Sequence, residues 1–142
     1  MKVIVSACLL GRNCKYNGGN NYNPKVEALL KDHVAVEVCP ERMAGLGVPR
    51  TPIEIVNGEV KDRNGNSVDA ALRRSVEMIL TQVRQEGIRY AILKSRSPTC
   101  GVRQIYDGTF TGRLIDGAGV LAQALMDEGC IVYDSEDLPD HL

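Results

Sequence analysis

The chemistry open to this 142-residue chain rests on five cysteines. They stand at positions 8, 14, 39, 100 and 130, and no two form the Cys-x-x-Cys pair usual in structural zinc sites. Their count is odd and their spacing loose, unlike the dense framework of a secreted disulfide scaffold. In a reducing compartment such cysteines hold metal, do catalysis or fill core. Cys39-Pro40-Glu41 sets a carboxylate two residues from a thiol. Burial and nearby negative charge would both raise that carboxyl's pKa and suit it to general acid/base work; an exposed loop glutamate is the plainer alternative. In Ser95-Arg96-Ser97-Pro98-Thr99-Cys100-Gly101, Pro98 and Gly101 shape a tight loop. Ser97 there either bonds a substrate and relays a proton or is a turn residue. Gly117-Ala118-Gly119 opens a helix, either as an anion cradle or for close packing, and no complete dinucleotide or P-loop pattern accompanies it.

The surrounding pattern says where these residues lie. Apolar runs at 2–6, 34–38, 88–93 and 130–133 predict four short buried strands. Asn23 and Pro24 open a short helix carrying Val26, Leu29 and Leu30. From 68 to 86 the apolar positions Leu72, Val76, Ile79, Leu80 and Val83 share one helical face, and Gly87 ends the run. Asp116 is expected to cap a helix carrying Val120, Leu121, Ala124 and Leu125, closed by Gly129. Strand–helix alternation implies a parallel sheet. Asn57-Gly58, between 53–56 and 59–61, predicts a hairpin through a type I′ turn. The expected fold is α/β, a single three-layer domain over residues 1–142 with a mainly parallel four-stranded sheet plus a small β-hairpin insertion.

Turns into the strands are short, whereas the segments leaving them, 7–23, 39–52 and 94–116, are long. Open α/β sheets bind ligands outside the carboxyl ends of their strands. Cys8 follows the first strand, Cys39 the second and Cys100 the third, so parallel pairing brings three distant thiols to one end. A lone cysteine is usually small buried core, but three at equivalent positions point to a joint site. Cys130 opens the fourth strand at the opposite end and reads as core. Cys14 stays open between a fourth ligand, a neighbouring thiol and loop packing. Structural zinc wants four closed ligands, and His33 and His141 are poorly placed to complete three. Soft thiolates also suit iron–sulfur clusters, and a cubane held by three cysteines leaves one iron open as a Lewis acid.

Composition narrows the partners. A net charge of −1 with mixed signs argues against a broad duplex nucleic-acid surface while leaving a small nucleotide ligand open. Arg12, Lys15, Arg50, Lys94, Arg96 and Arg103 flank the long loops, and nothing in their spacing separates phosphate binders from solvated side chains. No stretch approaches a membrane span, and the apolar run in MKVIVSACLL is too short for a signal peptide, so a cytoplasmic location is expected.

The blocks together carry a resemblance. Ser6-Ala-Cys8-Leu-Leu-Gly11 with Cys14-Lys-Tyr-Asn-Gly18, Cys39-Pro-Glu41 with Gly45-Leu46 and Pro49-Arg50, and Leu93-Lys94 with Ser97-Pro-Thr-Cys100-Gly101 follow in order. Ile105-Tyr-Asp-Gly108 and Gly117-Ala-Gly-Val120 complete the set. Over nearly its whole length the chain resembles the DUF523 family. Lys15, Asn17 and Thr99 depart from the expected Arg, Asp and Ser, and no cysteine is lost. The resemblance implies a thiouracil desulfidase with a [4Fe–4S] cluster held by Cys8, Cys39 and Cys100, and roles for Glu41 and Ser97. It implies hydrolytic, non-redox removal of sulfur as hydrosulfide from a thiolated pyrimidine: 2- or 4-thiouracil, a nucleoside, or a nucleotide such as 4-thiouridine monophosphate. Three other readings stay open: a zinc module using Cys8, Cys14, Cys39 and Cys100, a metal-free thiol enzyme with Cys14 or Cys100 as nucleophile, and a cluster protein carrying sulfur or electrons.

Overall fold

In the computed structural model, which describes residues 1–142, the elements are β1 (Lys2–Ser6), α1 (Pro24–Leu29), β2 (Val34–Val38), α2 (Pro40–Met43), β3 (Ile53–Val56), β4 (Glu59–Asp62), α3 (Asp69–Glu86), β5 (Tyr90–Leu93), β6 (Gln104–Tyr106), β7 (Leu114–Asp116), α4 (Val120–Asp127) and β8 (Ile131–Asp134). Four strands pair in parallel in the order β2-β1-β5-β8. Alternation along β1 sets the layers. Val3 and Val5 pack with Val26, Leu30 and Ile92 on the α1 side. Ile4 packs on the other side with Leu93 and with Leu72, Ile79, Leu121 and Leu125 of α3 and α4. Each such side chain, fully buried, contributes about 1.5–3 kcal/mol. The result is the expected α/β arrangement of three layers around a four-stranded parallel sheet.

Local signals explain the element ends. The Asn23 side chain accepts from the N–H groups of Lys25 (3.0 Å) and Val26 (3.4 Å) and caps α1. Gly87, at φ 64°, ends α3 in the left-handed conformation that suits glycine. Asn57 and Gly58, at φ 51° and 80°, make the expected turn between β3 and β4.

Three expectations need correction. The third strand starts at Tyr90, because the Ile88 N–H is spent on Val83 O at 3.0 Å in closing α3. The fourth starts at Ile131, because the Cys130 N–H bonds Leu125 O at 3.0 Å. Asp116 does not cap α4; it ends β7, and Gly119 holds the cap position. The stretch 94–116 also contains a second antiparallel pair, β6 with β7, whose three-residue strands are too short to show a period. Glu54 on β3 accepts from the N–H groups of Gly108 (2.9 Å) and Phe110 (3.2 Å), tying the two hairpins together. No helix is long and apolar enough to cross a membrane.

Candidate active site

The strand order reverses between β1 and β5, the point at which open α/β sheets form a crevice beyond their carboxyl ends. A cavity of about 520 Å³ lies there, within the range of small-molecule sites. Its lining includes all five residues singled out from the sequence: Cys8, Cys39, Cys100, Glu41 and Ser97. Cys14 joins them. Cys130 does not; its Sγ lies 3.7 Å from Ile88 O beyond the opposite end of the sheet. Neither histidine lines the cavity, and His33 lies beside the N-terminal amine.

Each thiol is delivered by the end of an element. Cys8 sits in the 3₁₀ turn Ala7–Leu10 directly after β1. Its Sγ accepts from Asn21 Nδ2 at 3.4 Å, and the Asn21 N–H also donates to Cys8 O at 3.0 Å. Cys39 caps α2 directly after β2. Cys100 is buried on the α3–α4 face, where the hydroxyls of Ser6 and Thr99 approach its sulfur. Burial pushes the Cys8 thiol pKa up against the Asn21 bond that lowers it. Burial pushes Cys14 and Cys100 up to about 12 each, with Cys39 adding its charge at Cys14. These sulfurs resist becoming bare thiolates and require positive charge beside them to do so.

Glu41 lies in the first turn of α2 behind Pro40. Burial raises its pKa, and Arg50 opposes the rise through an ion pair at 3.0 Å. Arg50 also donates to Cys14 O and Gly47 O, each at 2.9 Å, so its guanidinium is committed to building the site. Arg12 pairs with Glu37, Arg96 with Glu136 and Arg103 with Asp137. Lys94 faces the cavity with only Ser95 O (3.1 Å) and Ser95 Oγ (3.0 Å) as partners, and burial followed by the charge of Arg96 lowers its pKa. Lys15 and Arg63 line the same cavity, and no carboxylate pairs with either.

The Cys100 loop is held from below. The Val120 N–H donates to Pro98 O at 3.0 Å, and those of Leu121 and Ala122 donate to Thr99 O at 2.8 and 3.2 Å. The start of α4 therefore serves loop carbonyls; it is the close-packing alternative, not the anion cradle. Gly119 permits this approach, since a Cβ there would stand 2.5 Å from the Thr99 carbonyl carbon. Gly119→Ala is accordingly expected to cost about 1–3 kcal/mol, read as a lower midpoint in chemical denaturation. An unchanged midpoint would show that the loop is free to move away.

Comparison with known proteins identifies the family. The family model described as 2-thiouracil desulfurase matches residues 3–137. The chain belongs to that family. It is 34% identical over 150 aligned positions to YbbK of Bacillus subtilis (strain 168), an uncharacterised protein, covering 99% of each chain. Among solved structures it is similar to the [4Fe–4S]-dependent thiouracil desulfidase TudS (DUF523Vcz), with a TM-score of 0.91 and 37% identity over 98% of this chain and 93% of that one. The family resemblance carried by the cysteine blocks is thereby shown, and so is the fold. The 2-thiouracil desulfurase match spans β1 through β8 and so takes in every element that feeds the cavity.

Proposed function

We propose that this protein is an iron–sulfur-dependent desulfidase that removes sulfur from a thiolated pyrimidine by hydrolysis. The observation that carries the reading is the meeting of Cys8, Cys39 and Cys100, from three parallel strand ends, around one cavity with Glu41 beside them. The donor set fits an iron–sulfur cluster: three soft sulfurs on separate segments, two of which, Cys8 and Cys100, are pushed by burial toward the thiol and so favour the thiolate only beside a cationic centre. Structural zinc usually draws its thiolates from Cys-x-x-Cys pairs, whereas these three cysteines stand on separate segments. The metal-free thiol enzyme fares worse, because no histidine lines the cavity and the thiol pKa values rise where a nucleophile needs them lowered.

The chemistry such a cluster supplies when bound is Lewis acidity at the iron corner that no cysteine holds. The chain supplies the rest. Glu41, largely buried and with its pKa raised, takes one proton from the attacking water and returns it to the departing sulfur, which leaves as hydrosulfide. Water's oxygen replaces sulfur on carbon, its second proton passes to solvent as the carbonyl forms, and no electrons are exchanged. Tyr106 and Phe110 offer aromatic faces to the pyrimidine. Lys15, Arg63 and Lys94 give the cavity positive charge that favours a phosphorylated substrate such as 4-thiouridine monophosphate over a free base.

Anaerobically purified protein should bind about four irons and four sulfides per chain, with a broad visible absorption band. Its kcat/KM for sulfide release should be about tenfold or more higher with 4-thiouridine monophosphate than with thiouracil, a difference of about 1.4 kcal/mol. Equal values would remove the phosphate preference. A colourless protein that binds zinc and resists cluster reconstitution would end the desulfidase reading.

A further inference from the structure

Ser97 and Glu41 come from separate segments, and no direct bond joins them. Between them stands Thr99, 1% exposed, with its Oγ1 3.0 Å from Ser97 Oγ and 3.4 Å from Glu41 Oε1. The second contact is long, as catalytic bonds often are before substrate tightens the site. A third neighbour, Cys100 Sγ, is farther still at 3.7 Å.

The direction of these bonds follows from counting protons and lone pairs. Ser97 Oγ accepts the N–H groups of Thr99 (3.1 Å) and Cys100 (3.0 Å). A hydroxyl oxygen offers two lone pairs and one proton. With both lone pairs engaged, Ser97 donates to Thr99, and Thr99 donates to the Glu41 carboxylate.

We propose that Thr99 is a positioning residue, whose hydroxyl bridges Ser97 and Glu41 and so holds the Glu41 carboxylate in the orientation that meets the attacking water. This deepens the desulfidase reading and rests on it. Thr99 keeps its own proton throughout and acts only through the groups it holds.

The test compares Thr99→Val, which keeps the shape and loses the hydroxyl, with Thr99→Ser, which keeps the hydroxyl. Both are measured with full cluster, beside Glu41→Gln. A positioning role predicts that Thr99→Val lowers kcat about 100-fold with KM and iron content unchanged, while Thr99→Ser stays within about threefold of the parent. Adding Thr99→Val to Glu41→Gln should cost little more, since the two act as one unit. In cluster-free protein the infrared band of the Glu41 carboxyl should move in Thr99→Val and stay in place in Thr99→Ser. If Thr99→Val keeps its kcat while Glu41→Gln loses it, the positioning role is wrong and the desulfidase stands. If both Thr99 variants lose iron together with activity, Thr99 serves only the Cys100 loop, and the positioning role is likewise wrong. If the loaded parent releases sulfide from no thiopyrimidine, the function itself fails and the positioning role with it.

Discussion

Alanine in place of Cys8, Cys39 or Cys100 is expected to reduce bound iron from about four per chain to nearly none, and sulfide release at least about 100-fold with it. Each of these thiols comes from a different strand end, so no neighbour on the same element can substitute for the one removed. Cys14→Ala is expected to keep iron and turnover. Cys14 is buried within the loop that follows β1, and its carbonyl oxygen receives Arg50. Iron counts on the four anaerobically purified variants decide the matter. Iron lost from Cys14→Ala, with iron kept in any of the other three, would reassign the ligands.

Glu41→Gln should keep the cluster and lose about 10²–10⁴-fold in kcat. The amide has nearly the carboxylate's shape, and Arg50 retains its bonds to the Cys14 and Gly47 carbonyls, so the wall of the cavity stays built. What disappears is the largely buried carboxyl two residues from Cys39, placed to take a proton from water. Single-turnover sulfide release, measured with the absorption band monitored in the same sample, separates lost chemistry from lost cluster. Full turnover by this variant would remove the acid/base assignment while leaving the ligand assignment intact.

Much of this arrangement was legible from residue types alone, and the reasons differ by element. β1 and β2 were placed to the residue because each is built on a short run rich in valine, a residue type that favours strands. α3 showed five periodic positions on one face, all of which are buried. The cysteines were gathered by topology: parallel strands put their carboxyl ends together whatever lies between them. The β6–β7 pair stayed hidden because three residues per strand carry no period. The hydrogen-bond partners of the site stayed hidden because they act across long sequence separations. Ser6, for example, holds the Lys94 N–H at 2.9 Å from 88 residues away. Arg50 was one of six basic residues near loops, and only its fold-determined closeness to Glu41 sets it apart. Thr99 looked like a departure from the family pattern until its hydroxyl was seen between Ser97 and Glu41.

The floor and the rim of the cavity are secured by different means. The Cys100 loop beneath is bonded to the start of α4, inside the main core. The rim comes from two hairpins held to each other largely through Glu54. Surface connections accept insertions and replacements far more readily than core-bound loops do. Selectivity is thus free to drift through the hairpins while the thiol-bearing floor stays unchanged. A protein of this design can be offered a new ligand by exchanging a turn, with no need to rebuild the layer that carries Cys100.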